Sequence, residues 1–113
     1  MSARGRDAEN LAAAFLQRAG LKLVARNYRC RFGEIDLIVR DGNALVFVEV
    51  RMRSNDRYGG AAASITATKR ARLLRTARHY IANIAQTPAC RFDALLVNGN
   101  DSSIEWLKNA FAA

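Results

Sequence analysis

Two carboxylates and an arginine are spaced for phosphate chemistry between Gly33 and Arg53, in the run G-E-I-D-L-I-V-R-D-G-N-A-L-V-F-V-E-V-R-M-R. Asp36 stands in one apolar run and Glu49-x-Arg51 in the next. Carboxylates on adjacent strands, about 5 Å apart at Cβ, can share one Mg2+ or Mn2+. Such sites use few carboxylates and keep coordination positions for water and a phosphate oxygen. The cation polarises the phosphate and lowers the pKa of an attacking water. Arg51 points the same way as Glu49 along a strand and can hold a phosphate. Glu9, in the first helix, can supply a third carboxylate. The single histidine, His79, lies among arginines, so Ser-His-Asp and Cys-His schemes fit poorly. No glycine loop of the phosphate-cradling kind is present.

The elements that must position these groups are two strands and a turn. Ile35 to Arg40 and Ala44 to Met52 are rich in Val, Ile, Leu and Phe, which suit a pleated surface. Asp41-Gly42-Asn43 between them is a hairpin signal. A two-residue loop at Asp41-Gly42 sets Glu34 opposite Glu49, and one at Gly42-Asn43 sets Asp36 opposite Glu49. Either gathers Asp36, Glu49 and Arg51 on one face with Glu34, Ile38, Leu45 and Phe47. The other face takes Ile35, Leu37, Val39, Ala44, Val46, Val48, Val50 and Met52. A three-residue loop would separate the two acids. Carboxylates set against each other destabilise a sheet, so a cation, a metal or a raised pKa must compensate. A local conflict of this kind marks a functional site.

The 113 residues, half of them apolar and a quarter charged, fit one globular domain spanning 1–113. No apolar run approaches the roughly 18 residues of a membrane span, and the N-terminus lacks an apolar signal core. A cytoplasmic protein with no membrane partner is expected. Cys30 and Cys90 match no metal or redox spacing and read as idle thiols. The net charge of +8 is unevenly spread. Arg57 to Arg91 holds seven basic residues and no acid, whereas Glu34 to Asp56 holds five acids and three bases. An acidic island between basic stretches suits a surface that binds a polyanion and holds a divalent cation.

Asp7 to Ala19 reads as a helix, with Ala8, Leu11, Ala12, Phe15, Leu16 and Ala19 as its apolar stripe and Gly20 as its stop. Glu9 falls in its first turn, where an acid suits the helix dipole. Leu21 to Cys30 reads as a strand with an irregularity near Arg26-Asn27. Ser54 to Ser64 reads as a loop. A second helix, from Ile65 or Thr66 to about Ala85, sets Leu73, Leu74, Ala77, Tyr80, Ile81 and Ile84 against Lys69, Arg72, Arg75, Arg78 and His79. A helix face of bases without acids is unlike an ordinary solvated face. Arg53, Lys69, Arg72, Arg75 and Arg78 are therefore the expected nucleic-acid contacts, with His79 a surface residue. Thr87-Pro88 breaks the helix. Cys90 to Val97 and Ile104 to Leu107 are further strands. Asp93, flanked by apolar residues, is exposed, capping or paired with Arg91.

The run G-E-I-D-L-I followed by V-F-V-E-V-R-x-R resembles the YraN-type family. The N-terminal G-R-x-A-E-x-x-A-A-x-F-L, Lys69 and Ala77-x-x-Tyr80 fit as well, so the likeness covers nearly the whole chain. That family is similar to the restriction-endonuclease-like, PD-(D/E)xK nuclease superfamily, nearest to archaeal-type Holliday junction resolvases. The resemblance implies an α/β fold with an αβββαβ core and a mixed central sheet flanked by helices. It makes Glu9 the helix acid, Asp36 the metal-binding Asp and Glu49 the acid of the motif. Where the superfamily has Lys, this chain has Arg51, which stays charged and cannot act as a general base. Either Arg51 binds phosphate only, or Lys69 reaches in from the second helix, or the site is a degenerate binding surface. The expected activity is Mg2+- or Mn2+-dependent endonucleolytic hydrolysis of DNA rather than RNA, on branched DNA by analogy with the resolvases. A non-catalytic nucleic-acid-binding protein is the alternative, and a protein-docking module the third reading. Resolvases act as symmetric dimers, so a homodimer is the assembly the analogy offers.

Overall fold

The Gly42-Asn43 loop sets the register of the whole molecule. A computed structural model of the chain describes residues 3–53, 66–84, 89–99 and 101–110. The elements run α1 (Ala3–Arg18), β1 (Lys22–Cys30), β2 (Gly33–Asp41), β3 (Ala44–Arg53), α2 (Ala67–Ile81), β4 (Ala89–Asn98) and β5 (Ile104–Leu107). The loop expected at 54–64, the Thr87-Pro88 break and the side chain of Arg53 lie outside the described residues. Gly42 adopts φ 59, the left-handed value that a tight hairpin turn requires and that glycine supplies without steric cost. Asp41 then pairs with Ala44, and the ladder runs back through Ile38–Phe47 to Leu37–Val48. This is one of the two even registers, the one that aligns Asp36 with Glu49.

The strands form one sheet in the order β1-β2-β3-β4-β5. The β3–β4 pair is parallel and the others antiparallel. Parallel neighbours need a crossover, and α2 lies in that connection. The fold is thus α/β, with a mixed sheet between two helices. On one face Ile38, Leu45, Phe47, Phe92 and Ala94 pack under Leu73 and Ala77 of α2. On the other, Leu37, Val39, Val46, Val48 and Leu95 pack under Ala12, Ala13 and Leu16 of α1. Burying such side chains contributes roughly 1.5–3 kcal/mol each, so the strand alternation decides which helix each residue supports.

Two expectations about this packing need correction, and both concern the site. Ile35 belongs to the α2 cluster and not to the α1 face with Leu37. The alternation breaks across Asp36. The cause lies on β1, where Asn27 has φ 52 between the Arg26–Leu37 and Tyr28–Ile35 pairs. A residue in the left-handed region interrupts the pleat, and asparagine tolerates it better than most. A second irregularity falls at Val24, where the β1–β2 register shifts.

The other correction is the phase and start of α1. The helix begins at Ala3, so Glu9 is beyond the first turn and the dipole argument for it fails. Ala13 is buried in place of Leu11, which is 37% exposed. The buried stripe is Ala8, Glu9, Ala12, Ala13 and Leu16. An acid therefore occupies a core-facing position.

Candidate active site

Asp36 sits where β2 and β3 part. Their backbone ladder ends at Leu37–Val48. Beyond it, Asp36 Oδ2 accepts the Val50 N–H at 2.9 Å. Its side chain thus takes over a job that a backbone carbonyl does further down the hairpin. Glu49 and Arg51 come from β3, whose far side is paired to β4. Their neighbours there, Ala94 and Leu96, are buried and apolar and offer no counter-charge.

From the opposite side α2 closes over the hairpin. Thr66 caps it, its hydroxyl accepting the Lys69 N–H at 3.2 Å. The close approach needs Gly33, at φ 147. A Cβ there would meet Thr76 Oγ1 at 3.3 Å. The resulting cavity of about 340 Å³ is lined by Gly33, Glu34, Asp36, Glu49, Val50, Arg51, Lys69, Arg72 and Leu73. Asp36, Glu49, Arg51, Lys69 and Arg72, all singled out in the sequence, share this one space. Arg75 and Arg78 lie outside it on the exposed side of α2.

The cations reach the acids unevenly. Arg51 Nη2 is 3.2 Å from Glu49 Oε1, and Lys69 Nζ is 4.0 Å from the same oxygen. Arg51 Nε and Nη2 are nonetheless buried without a hydrogen-bond partner. Burial, and then the charge of Glu49, push Asp36 up to about 7, against the pull of the Val50 N–H. Glu49 is also raised, by burial, although Arg51 and hydrogen bonding with Asp36 draw it back. The pair is therefore not fully ionised at neutral pH. Desolvated like charges held together behave this way when no sufficient counter-charge is present.

Glu9 does not line the cavity. Its side chain is 3% exposed, with Oε1 at 3.7 Å from Arg26 Nη2 and Oε2 buried without a partner. It remains near enough for its charge to help raise Asp36. Arg26 was not anticipated as part of this neighbourhood. It also donates to Asn10 Oδ1 at 2.7 Å, holding α1 against β1. The only sequence signal for it was the irregularity at Arg26-Asn27. Glu34, expected on the same face as the two acids, also lines the cavity and is paired to Arg29 at 3.0 Å.

Among the described residues no three His, Cys, Asp or Glu side chains gather as a ready metal cage. What is gathered is a carboxylate pair. An all-oxygen donor set suits hard cations such as Mg2+ or Mn2+, which retain water ligands rather than fill a protein cage. Two desolvated carboxylates with raised pKa also have the electrostatic need that such a cation meets.

His79, expected at the surface among the arginines, is half-buried. Its Nδ1 is hydrogen-bonded to Tyr28 Oη at 2.5 Å, and it stands edge-on to Phe32. Tyr28 in turn packs edge-on to Tyr80. An aromatic cluster thus joins the end of β1 to α2 just beyond the cavity.

Residues 8–97 match the model of a family described as uncharacterised protein family UPF0102. The chain belongs to that family. It is 63% identical to UPF0102 protein NE0719 of Nitrosomonas europaea over 109 residues, covering 96% of this chain and 92% of the relative. It is 54% identical to a UPF0102 protein of Methylobacillus flagellatus over the full length of both. A UPF0102 protein of Psychromonas ingrahamii is 44% identical over 97% of this chain and 90% of its own. The matched region of this UPF0102 chain takes in Glu9, the hairpin, α2 and nearly all of β4. No helix among the described residues is long and apolar enough to cross a membrane.

Proposed function

We propose that this UPF0102 protein is a metal-dependent endonuclease that hydrolyses phosphodiester bonds in DNA, with branched DNA the leading substrate. The observation that carries the reading is the desolvated Asp36–Glu49 pair facing Arg51, Lys69 and Arg72 across one cavity. We read the order α1-β1-β2-β3-α2-β4 as restriction-endonuclease-like. Asp36 and Glu49 would hold Mg2+ or Mn2+. When bound, the ion supplies Lewis-acid polarisation of the phosphate and a more acidic water. Arg51, permanently charged, steadies a phosphate and moves no proton. Lys69 is the basic residue on the cavity wall that, unlike Arg51, can give up a proton. Arg72, Arg75 and Arg78 neutralise phosphates along α2 and read no bases. Glu9 sits behind the pair and biases its charge.

A second reading, a nucleic-acid-binding protein whose nuclease site is degenerate, draws support from Arg51. It stands in place of lysine and is already engaged with Glu49. One experiment separates the two. Native protein, Asp36→Asn and Arg51→Lys are assayed with Mg2+ or Mn2+ on linear, flapped and four-way DNA, alongside binding and thermal shift. The enzyme reading expects weak cleavage by native protein, none by Asp36→Asn, and retained or greater cleavage by Arg51→Lys. It also expects Mn2+ to raise the native melting temperature at pH 8 but not that of Asp36→Asn, since only a ligand favouring the folded state stabilises it. Retained DNA binding with no cleavage by native protein or Arg51→Lys would leave the binding module.

A further inference from the structure

Beside the cavity lies a group that the phosphate chemistry does not use: Arg31 and Phe32 in the turn between β1 and β2, with His79 behind them. We infer that Phe32 is a stacking platform for an unpaired base, so the strand this site accepts is locally single-stranded. The inference rests on the nucleic-acid reading above and narrows its substrate.

Three observations carry it. First, Phe32 is partly exposed in the turn. The guanidinium of exposed Arg31 lies over it, 4.8 Å from the centroid. A flexible cation occupies that position, and an incoming planar base can displace it or extend the stack.

Second, the ring is held from behind. His79 stands 6.2 Å away at 67° and is itself fixed by Tyr28. A platform needs such a support, because a freely rotating ring would lose entropy on stacking.

Third, the spacing fits a nucleic-acid strand. Gly33, next to Phe32, lines the cavity with Arg72. Arg72 and His79 are seven residues apart on α2, about 10 Å along the helix. That is a separation of one to two nucleotides in an extended strand. Arg72, Arg75 and Arg78 lie exposed on the same helix. Glu34, the acid next to Gly33, is paired to Arg29. A duplex keeps its bases stacked on each other and gives an aromatic ring nothing to hold. A flap or a junction with unpaired nucleotides does.

The test is binding in EDTA at fixed moderate salt, so that neither metal nor cleavage enters. The probes are a labelled oligo(dT) and a blunt duplex of equal length. The variants are Phe32→Leu, which keeps an apolar side chain in the turn, and Phe32→Tyr, which keeps a ring. Removal of one stacked base contact predicts a loss of about 5- to 100-fold on oligo(dT) for Phe32→Leu. Less than twofold is expected on the duplex, with near-native affinity for Phe32→Tyr. In addition, Phe32→Trp should show indole fluorescence quenched by oligo(dT) and not by the duplex. Unchanged oligo(dT) affinity in a folded Phe32→Leu protein, or equal losses on both probes, overturns the platform and leaves the nuclease reading standing. Failure of the native protein to bind oligo(dT) overturns the platform, whereas the nuclease reading stands or falls on the cleavage assay with metal and branched DNA.

Discussion

Asp93 and Asp36 are both carboxylates held inside the same sheet, and their surroundings could hardly differ more. Asp93 is 1% exposed. Its oxygens accept from Arg91 Nε at 3.0 Å, Trp106 Nε1 at 2.9 Å and the Asn109 N–H at 2.9 Å. Arg91 reaches on to Asp41 at 2.9 Å. This network ties β4 to β5, to the chain after it and to the hairpin. Asp36, by contrast, has the Val50 N–H and a second carboxylate for a neighbour. A buried charge with every lone pair directed at a donor is structural. One set against another acid, with Arg51 and Lys69 reaching that other acid, is kept at a cost to folding, and folding alone gives no reason for it.

That comparison can be broken at either end. The largest effect belongs to Asp93→Ala. It leaves a guanidinium, an indole N–H and a backbone N–H without their acceptor, and should destabilise by about 3–5 kcal/mol. Chemical denaturation would show this as a much lower midpoint. A loss under 1 kcal/mol would mean that Asp93 is not the anchor described.

Asp36→Asn should act the other way. A carboxyl whose pKa is raised on folding, here from 3.8 to about 7, makes the folded state take up protons. The Asp36 contribution to stability is then most favourable below about pH 4, declines as pH rises towards 7, and stays reduced above it. The amide keeps an acceptor for Val50 and carries no charge. Without metal, Asp36→Asn should be more stable than native by on the order of 1–3 kcal/mol at pH 8, the gain shrinking towards pH 4. Melting curves across that range decide it, and a variant less stable than native at pH 8 would contradict the repulsion.

The smallest effect is at Glu9, whose charge is a lesser contributor to the raised Asp36. Glu9→Gln should lower the Asp36 titration midpoint, by less than the removal of Glu49 does. Carboxyl NMR shifts followed against pH would measure both. An unmoved midpoint would detach α1 from the site.

Most of the hairpin was legible in the sequence, because Gly42-Asn43 and the alternation of Leu37, Val39, Val46 and Val48 are local signals that agree. The same holds for Leu73 and Ala77 on α2, and for pairing with Arg91 as one of three fates offered to Asp93. What was illegible depends on distant partners. Ile35 changes face because Asn27, on another strand, interrupts the pleat. Glu9 is buried because α1 docks with Ala8, Ala12, Ala13 and Leu16 inward, which carries the neighbouring acid inward too, towards Arg26. His79 is fixed by Tyr28, which lies far away in sequence. Periodicity reports which residues share a face and is silent about what arrives to meet them.

The early end of the β2–β3 ladder has a mechanical consequence. From Glu49 to Arg53, β3 is stitched to β4 along its length, whereas its links to β2 beyond Val48 run through the Asp36 side chain, to the Val50 N–H and to Glu49. The two acids therefore ride on separate flanks of a fork, with no rung of the sheet fixing the gap between them. Widening that fork would break side-chain contacts of Asp36 and leave the backbone ladder whole. Its compliance lies in the one direction that changes the spacing of Asp36 and Glu49, while the sheet around it stays stiff.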